Sequence, residues 1–220
     1  MPDDIAFLHT ATVHVATFDR LIDELAPGLR VRHVVQAQLL EEAHRNGANS
    51  PTLAPRIAAA LAEAADGGAK LVVCTCSTIG GAAEAATLLD HLTVLRIDRA
   101  MAERAVHIGP RVLIVAALAS TIEPTQALLQ DCAVGSRVQL QPRTLVAENA
   151  WDAFLAGDTR AYLDIIVHAI EGALADTDVV VLAQASMAPA AQQLTHLTVP
   201  VLSSPELGVR DAIARIRAAT

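Results

Sequence analysis

The chain has 220 residues, 53% of them hydrophobic and 18% charged, and this balance excludes a disordered protein and provides ample material for a core. With a formal net charge of -8, no run of lysine or arginine and only 2% aromatic residues, the sequence excludes a nucleic-acid groove, which needs clustered basic residues and stacking aromatics. The longest apolar stretches are strand-sized, well below the about 18 residues that a membrane span needs, so no membrane partner is expected.

Short β-branched runs alternate with longer alanine- and leucine-rich stretches, a pattern that predicts βαβ units and a parallel sheet. In the first half, the predicted strands are Ile5–Leu8, Arg30–Val35, Lys70–Thr75 and Val94–Ile97. In the second half, they are Val112–Ala117, Val138–Gln141, Val179–Ala183 and Val199–Leu202. The predicted helices include Thr17–Leu25, Pro55–Ala65 and Tyr162–Ala175. The nearly continuous apolar character of the strands favours sheets that helices cover on both faces.

Three segments of the first half recur in the second half in the same order. RHVVQAQLLEEA matches RTLVAENAWDAF in hydrophobic pattern, LVVCTCSTIGGAAEA matches VVVLAQASMAPAAQQ, and HLTV occurs twice. The paired segments begin at Arg32 and Arg143, at Leu71 and Val179, and at His91 and His196. Several matches that keep their order and spacing indicate a tandem duplication.

The duplication predicts two similar parallel α/β halves, 1–98 and 99–205, followed by a closing C-terminal helix over 206–220. In open parallel sheets, ligands bind beyond the carboxyl ends of the strands, where helix N-termini offer free N–H groups. A pseudo-two-fold axis between the halves would turn both sets of strand-end loops toward one active-site cleft. The strand-end loops are therefore the candidate functional segments.

Small hydroxyl-bearing residues follow the predicted strands, next to helix starts. The candidate substrate-binding residues are His9, Thr10, Ser77, Thr78, Thr121, Ala185 and Ser186. Such a lining suits a small anion, most simply a carboxylate, held by backbone N–H and hydroxyl donors. Helix capping is the alternative role for each serine and threonine. For His9, a hydrogen-bonded loop histidine is the alternative to a ligand-contacting or general-acid residue.

Cys76 is the sharpest single feature, because it lies where a strand gives way to a helix N-terminus, a setting that favours the thiolate form of a cysteine. A thiolate there can remove a proton from carbon or attack an electrophile, and the alternative is a buried cysteine that acts as a small hydrophobe. Cys74 and Cys132 fit structural roles.

The cysteine pattern also bears on metals, cofactors and compartment. A C-x-C pair without further ligands does not predict a metal site, and neither a Walker loop nor G-x-G-x-x-G occurs, so we expect no metal and no cofactor. Three cysteines without framework spacing are typical of a reducing compartment, and the first ten residues lack the features of a signal peptide. We therefore expect a soluble, cytoplasmic protein.

The duplicated α/β chain with the strand-end segment VVCTCSTIGG resembles the aspartate/glutamate/hydantoin racemase superfamily over essentially its whole length. In that family each half contributes one cysteine, and the two thiols flank the α-carbon of the substrate and exchange its proton without a cofactor. The first family motif resembles C-[NS]-T and falls on Cys76-Ser77-Thr78. The second resembles L-[GA]-C-[AT] and falls on LAQASMA, where Gln184 stands in place of the cysteine.

The resemblance also assigns the remaining loops. The hydroxyl residue that follows the first strand of the second half in the family maps onto Thr121, and the substrate-binding loop after the first strand maps onto His9 and Thr10. The internal repeat itself pairs Gln184 with Cys76. An amide is neither a base nor a useful proton donor to carbon near neutral pH, so Gln184 does not replace a thiol in proton transfer.

The resemblance implies a cofactor-independent racemase or isomerase that acts at the carbon α to a carboxylate or carbonyl, with Cys76 as acid/base and Gln184 at the second catalytic position. It implies a small carboxylate or hydantoin-like substrate and a homodimer or higher homo-oligomer. Two alternatives stay open. One is a single-thiol decarboxylase-type lyase, as in the related arylmalonate decarboxylases, and the other is a non-catalytic carboxylate-binding protein.

Overall fold

The structure is a computed structural model that describes residues 3–86 and 92–219. The chain divides into two compact units, Met1–Arg99 together with Pro205–Thr220, and Ala100–Ser204. Each unit holds one four-stranded parallel sheet with flanking helices, which confirms the predicted α/β class with two parallel-sheet halves. None of the described helices is long and apolar enough to cross a membrane.

The first unit has the spatial strand order β2-β1-β3-β4. Its strands are β1 Ile5–His9, β2 Val31–Val35, β3 Leu71–Cys74 and β4 Thr93–Arg96. Its helices are α1 Val13–Leu25, α2 Ala37–Asn46, α3 Leu53–Ala65, α4 Ser77–Ala85 and, after the second unit, most of α10 Ser204–Ala218.

Helices cover both faces of the first sheet, which is why its central strands are apolar without alternation. Successive side chains of a strand point to opposite faces. Leu8 belongs to a core cluster with Ile57 of α3, whereas Phe7 belongs to a second cluster with Phe18 of α1 and Val209 of α10. All five side chains are fully buried. Each face of the sheet therefore packs against helices, and loops follow the ends of its strands.

The second unit has the equivalent strand order β6-β5-β7-β8. Its strands are β5 Val112–Ala116, β6 Arg143–Val146, β7 Val179–Leu182 and β8 Val201–Ser203. Its helices are α5 Arg99–Ile108, α6 Ile122–Ser136, α7 Ala150–Leu155, α8 Thr159–Glu171 and α9 Ala188–Gln193, with short 3₁₀ helices at Ala119–Thr121 and Ala185–Met187. One face of the sheet packs on α8 through the buried side chains of Tyr162 and Ile166.

One predicted strand, Val138–Gln141, is wrong, because these residues belong to the exit from α6. Arg137 adopts a left-handed conformation with φ 57°, and the N–H of Val138 bonds back to the carbonyl of Ala133 at 3.1 Å. A left-handed residue after the last turn with this hydrogen bond is a common helix C-cap. The strand starts five residues later, at Arg143.

The strand registers test the internal repeat residue by residue. Ala6 of β1 pairs with Arg32 and Val72, and Leu113 of β5 pairs with Arg143 and Val180. The first two repeated segments are therefore in structural register.

The HLTV repeat is out of structural register. It matches Val94 with Val199, but β3 pairs Val94 with Val72 and β7 pairs Val201 with Val180. The equivalent strand residue thus comes two positions later in the second unit. His91, which begins the first HLTV, lies outside the described residues.

Candidate active site

Cys76 lies in the connection from β3 to α4, where it is the N-cap residue of the helix with an extended backbone (φ -98°, ψ 112°). It is half-buried, whereas Cys74 is fully buried at the end of β3. The thiol of Cys74 donates to the carbonyl oxygen of Cys76, with an Sγ-to-O distance of 3.7 Å. Burial, reinforced by the neighbouring Cys76, raises the pKa of the Cys74 thiol. Cys76 is therefore the thiol of this segment that solvent and ligands can reach.

Ser77 and Thr78 form the first turn of α4, directly after Cys76. They are only 4% and 3% exposed, and their hydroxyl oxygens have no hydrogen-bond partner among the residues that the structure describes. A buried hydroxyl without a partner costs about 1–3 kcal/mol. The start of α4 therefore holds hydrogen-bonding capacity that the described protein atoms leave unused.

A buried ion pair holds the first turn of α4 in place, and sequence reasoning missed it. The guanidinium of Arg96 donates to both carboxylate oxygens of Asp98, at 2.7 and 2.9 Å, and also reaches the carbonyl oxygen of Ser77 at 3.5 Å. A Cβ on Gly80 would lie 3.1 Å from Nε of Arg96, so the helix and the ion pair are in close contact. Charged residues in and directly after a predicted buried strand are the signal that could have found the pair, because such residues are rarely buried unpaired.

His9, at the end of β1, is fully buried and uses both ring nitrogens. Its Nδ1 is hydrogen-bonded to the hydroxyl of Thr75 at 2.8 Å, and its Nε2 to Nδ1 of His33 at 2.8 Å. Burial, with repulsion from His33 and His14, lowers the pKa of His9 to about 3, so the ring is neutral near neutral pH. His9 thus has the geometry of a hydrogen-bonded histidine, the alternative to a ligand-contacting residue that the sequence left open. Thr10 follows it and is also buried, and substrate contact by either residue stays a prediction.

Gln184, at the end of β7, is anchored to the end of β5. Its side-chain oxygen accepts hydrogen bonds from the backbone N–H groups of Ala117 at 2.7 Å and Leu118 at 3.3 Å. Two N–H donors at one amide atom identify that atom as the oxygen. The amide nitrogen has no hydrogen-bond partner among the described residues and is not one of their buried unpartnered atoms, so a ligand can reach it.

The other candidate residues of the second unit are already engaged within it. Thr121 is buried and donates from its hydroxyl to the carbonyl of Leu118 at 2.5 Å. The hydroxyl of Ser186 is hydrogen-bonded to the hydroxyl of Tyr162 at 2.8 Å, and burial raises the pKa of Tyr162 to about 12. Ala185 is buried at the start of a 3₁₀ helix, and its backbone is its only hydrogen-bonding group.

Parallel pairing brings the candidates together at the carboxyl edge of each sheet. In the first unit β1 pairs with β3, so the His9–Thr10 and Cys76–Thr78 loops emerge side by side. In the second unit β5 pairs with β7, so the loops that carry Thr121 and Gln184 emerge side by side. Among the described residues, no group of three or more histidine, cysteine, aspartate or glutamate side chains is arranged to hold a metal ion.

The fold is similar to that of several solved structures at low sequence identity. The aspartate racemase of Picrophilus torridus is 14% identical, with a TM-score of 0.73 over 99% of this chain and 95% of that chain. The allantoin racemase of Klebsiella pneumoniae is 20% identical, with a TM-score of 0.70 over 99% and 89%. A mutant of arylmalonate decarboxylase in a sulfate-associated form is 20% identical, with a TM-score of 0.59 over 99% and 94%. At these identities the likeness shows the fold alone.

Comparison with curated protein sequences gives no match. The profile of the Asp/Glu/hydantoin racemase family, in contrast, matches residues 10–212, a stretch that includes both the Cys76 and the Gln184 loops. The resemblance predicted from the sequence motifs is thereby confirmed: the chain belongs to the Asp/Glu/hydantoin racemase family.

Proposed function

We propose that this chain is a cofactor-independent, racemase-type enzyme that moves a proton at the carbon α to a carboxylate or related carbonyl, with Cys76 as its acid/base. The observation that carries the proposal is the start of α4. There a half-buried thiol at the N-cap is followed by the two buried hydroxyls of Ser77 and Thr78, which have no partner among the described residues. Each hydroxyl can donate a hydrogen bond, and the oxygens of a small carboxylate can accept it.

The chemistry of the step matches this setting. Removing a proton from the α-carbon breaks a C–H bond and leaves the electron pair in an enolate-like group, whose charge develops on oxygen. The positive end of a helix dipole favours both a thiolate and that oxygen charge. Cys76 takes the proton as thiolate and returns it as thiol.

Gln184 supports chemistry with a single thiol. Its oxygen is held by two backbone N–H groups, so the amide offers hydrogen-bond donors to a substrate oxygen but neither accepts nor supplies a proton at carbon. We propose that Gln184 binds substrate and that proton exchange is confined to the face of the α-carbon that Cys76 serves.

The same residue favours a second candidate, a decarboxylase-type lyase. In that reaction the bond between the α-carbon and a carboxylate breaks, carbon dioxide leaves, and the electron pair remains as an enediolate. One thiol then donates one proton to carbon and regains it from solvent, so no second thiol is needed.

A substrate panel separates these reactions. Single enantiomers of aspartate, glutamate, allantoin and hydantoins are followed in deuterium oxide by proton NMR for exchange at the α-carbon and by chiral chromatography for racemisation, and a disubstituted malonate is followed by carbon dioxide release. Exchange without racemisation, or decarboxylation, that Cys76→Ala abolishes and Cys132→Ala retains supports Cys76 as the single acid/base. Binding without turnover on the whole panel contradicts it and favours a carboxylate-binding protein.

Gln184→Cys tests whether a thiol at position 184 supplies the second proton of a racemase. A thiol at this position should raise racemisation by roughly 10²–10⁴-fold, the contribution of a positioned acid or base. Gln192→Cys, on the exposed side of α9, is the matched control for adding a thiol. Fast racemisation by the unaltered protein would show that another group supplies the second proton.

A further inference from the structure

Four side chains of the first unit form a continuous hydrogen-bonded chain from the strand end that carries Cys76 to the protein surface. Its inner half joins the hydroxyl of Thr75 to Nδ1 of His9, and Nε2 of His9 to Nδ1 of His33, both at 2.8 Å. Its outer half joins Nε2 of His33 to a carboxylate oxygen of Asp19 at 2.9 Å. The inner end is fully buried at His9, whereas the side chain of Asp19 is 54% exposed.

The hydroxyl of Thr75 has two acceptors within reach, and this leaves the direction of the chain open. It lies 2.8 Å from Nδ1 of His9 and 3.2 Å from the carbonyl oxygen of Leu8. A hydroxyl has one proton to donate, and each ring nitrogen of a neutral histidine is either a donor or an acceptor. With His9 neutral, two proton arrangements give every ring nitrogen of the chain a matching partner.

In the first arrangement His33 is neutral. The carboxylate of Asp19 only accepts, so Nε2 of His33 carries the ring proton and Nδ1 of His33 accepts. His9 must then donate from Nε2, and its Nδ1 accepts the proton of the Thr75 hydroxyl.

In the second arrangement His33 is an imidazolium and donates from both nitrogens. His9 then accepts at Nε2 and carries its single proton on Nδ1, which donates to the oxygen of Thr75. The Thr75 hydroxyl turns to the carbonyl oxygen of Leu8, which already accepts the backbone N–H of Thr75 at 3.0 Å.

We propose that Thr75, His9, His33 and Asp19 form a proton-linked positioning relay, in which protonation of His33 switches the tautomer of buried His9 and the direction of the hydroxyl of Thr75, the residue that precedes Cys76 in the chain. One proton is taken up from solvent in total. An N–H bond forms at Nδ1 of His33, and the single N–H of His9 moves from Nε2 to Nδ1. The consequence for reactivity rests on the proposed role of Cys76, whereas the switch itself does not.

Of the three neighbouring histidine rings, that of His33 is the one hydrogen-bonded to a carboxylate. The titratable groups that face the two rings are Asp19 and His14 on α1, with the His14 ring 6.3 Å from that of His9. Burial lowers the pKa of His14 to about 4, and Phe7 and Phe18 supply the remaining ring contacts, so neither His9 nor His14 competes for the proton near neutral pH. Only the outer ring, next to the exposed carboxylate of Asp19, combines a charged partner with access to solvent.

Long-range proton–nitrogen NMR spectra of the isotope-labelled wild-type protein test the switch without any substrate, since they report which ring nitrogen carries the proton. Spectra are recorded across the range in which histidines ordinarily titrate, about pH 5 to 8. We expect His9 to change from the Nε2–H to the Nδ1–H tautomer in step with protonation of His33, and never to become a cation. A His9 tautomer that stays constant while His33 is protonated would overturn the relay.

Two exposed carboxylates of α1 provide a matched pair of variants. Asp19→Asn removes the charge that faces His33 and should move the tautomer change to lower pH by roughly 0.2–0.7 units, the effect of a part-exposed ion pair. Asp23→Asn makes the same change of net charge on the same helix and should leave the pH of the tautomer change unaltered. Equal shifts in both variants would show that only general charge acts on His33.

The link to Cys76 is measured by its alkylation rate against pH, in the wild type and in His33→Asn, whose amide replaces Nδ1 and does not titrate. The wild-type profile should contain a step at the pH of the tautomer change, and the variant should lack that step. Identical profiles, with the tautomer change present in the wild type, would overturn the positioning role. Neither result depends on turnover, so each is distinct from a failure of the proposed reaction.

Discussion

The side-chain oxygen of Gln184 accepts a hydrogen bond from the backbone N–H of Ala117 at 2.7 Å, which joins the ends of two adjacent strands of the second unit. The bond fixes the orientation of the amide and leaves its nitrogen without a partner among the described residues. At the position that the family motif gives to a cysteine, this chain thus holds an amide of fixed orientation.

Gln184→Glu removes the amide N–H groups of this residue, because glutamate has the same shape and keeps an acceptor for Ala117. It loses the amide N–H groups and adds a negative charge, so binding of a small dicarboxylate should weaken by at least roughly 10–100-fold, the value of a hydrogen bond to a charged group. Isothermal titration calorimetry with malonate or aspartate measures it. Gln192→Glu adds the same charge on an exposed position and should bind normally. Equal affinities for the wild type and Gln184→Glu would remove Gln184 from the site.

The three cysteines should react with iodoacetamide in a fixed order. Cys76 should be alkylated first, because it is half-buried, whereas Cys74 is fully buried with a raised thiol pKa and Cys132 is also buried. Mass spectrometry after brief treatment at neutral pH gives the order, and a small dicarboxylate should protect Cys76. Equal labelling of all three, or labelling of Cys132 first, would refute Cys76 as the reactive thiol.

Gly80→Ala tests the contact between α4 and the Arg96–Asp98 pair. Its new Cβ would lie 3.1 Å from Nε and 3.2 Å from Cβ of Arg96, so the free energy of unfolding should fall by about 1–3 kcal/mol. Gly135→Ala is the control, because its Cβ meets nothing within 4 Å and alanine stabilises a helix by about 0.5–1 kcal/mol. Denaturant unfolding of both variants measures the difference, and a stabilised Gly80→Ala protein would contradict the close packing.

His14 should make stability depend on pH. Burial lowers its folded-state pKa to about 4, so between about 6.5 and 4 the unfolded chain binds the proton and the folded protein does not. Its contribution to stability is present above this window and is lost as the pH falls through it. The wild type should therefore lose stability more steeply than His14→Gln, by up to about 1.4 kcal/mol per pH unit. Free energies of unfolding that fall in parallel with pH in the two proteins across that window would contradict a neutral His14 in the folded protein.

Local sequence pattern predicted most of the strands, because a sheet covered on both faces needs apolar side chains at every position, as in β5 and β7. It failed at Val138, because this apolar residue lies at the exit from α6 and not in a strand. The repeat of RHVV as RTLV gave the correct answer, since it aligns Arg143 with a residue of β2. The identical HLTV segments predicted an alignment of β4 with β8 that is wrong by two residues, because the strand pairing, and not the local sequence identity, determines which residues are equivalent.

The sequence predicts those site residues whose position depends on their neighbours in the chain. It does not predict the contacts that depend on how strands and helices pack together. Cys76 at the start of α4 follows directly from a strand that ends and a helix that begins. The pairing of His9 with His33 depends on the register of β1 and β2, and the reach of Asp19 depends on the rotation of α1. The contact of Gln184 with Ala117 joins residues far apart in the chain, which no local pattern encodes.

The most direct measurement is the exchange of the α-proton of small chiral carboxylates and hydantoins in deuterium oxide, followed by proton NMR. With wild-type protein we expect deuterium to enter at the α-carbon of a substrate while its enantiomer does not accumulate, because a single thiol serves one face. Cys76→Ala should lower the exchange rate by roughly 10²–10⁴-fold, and Cys132→Ala should leave it unchanged. Exchange that survives in Cys76→Ala at the wild-type rate would contradict Cys76 as the acid/base.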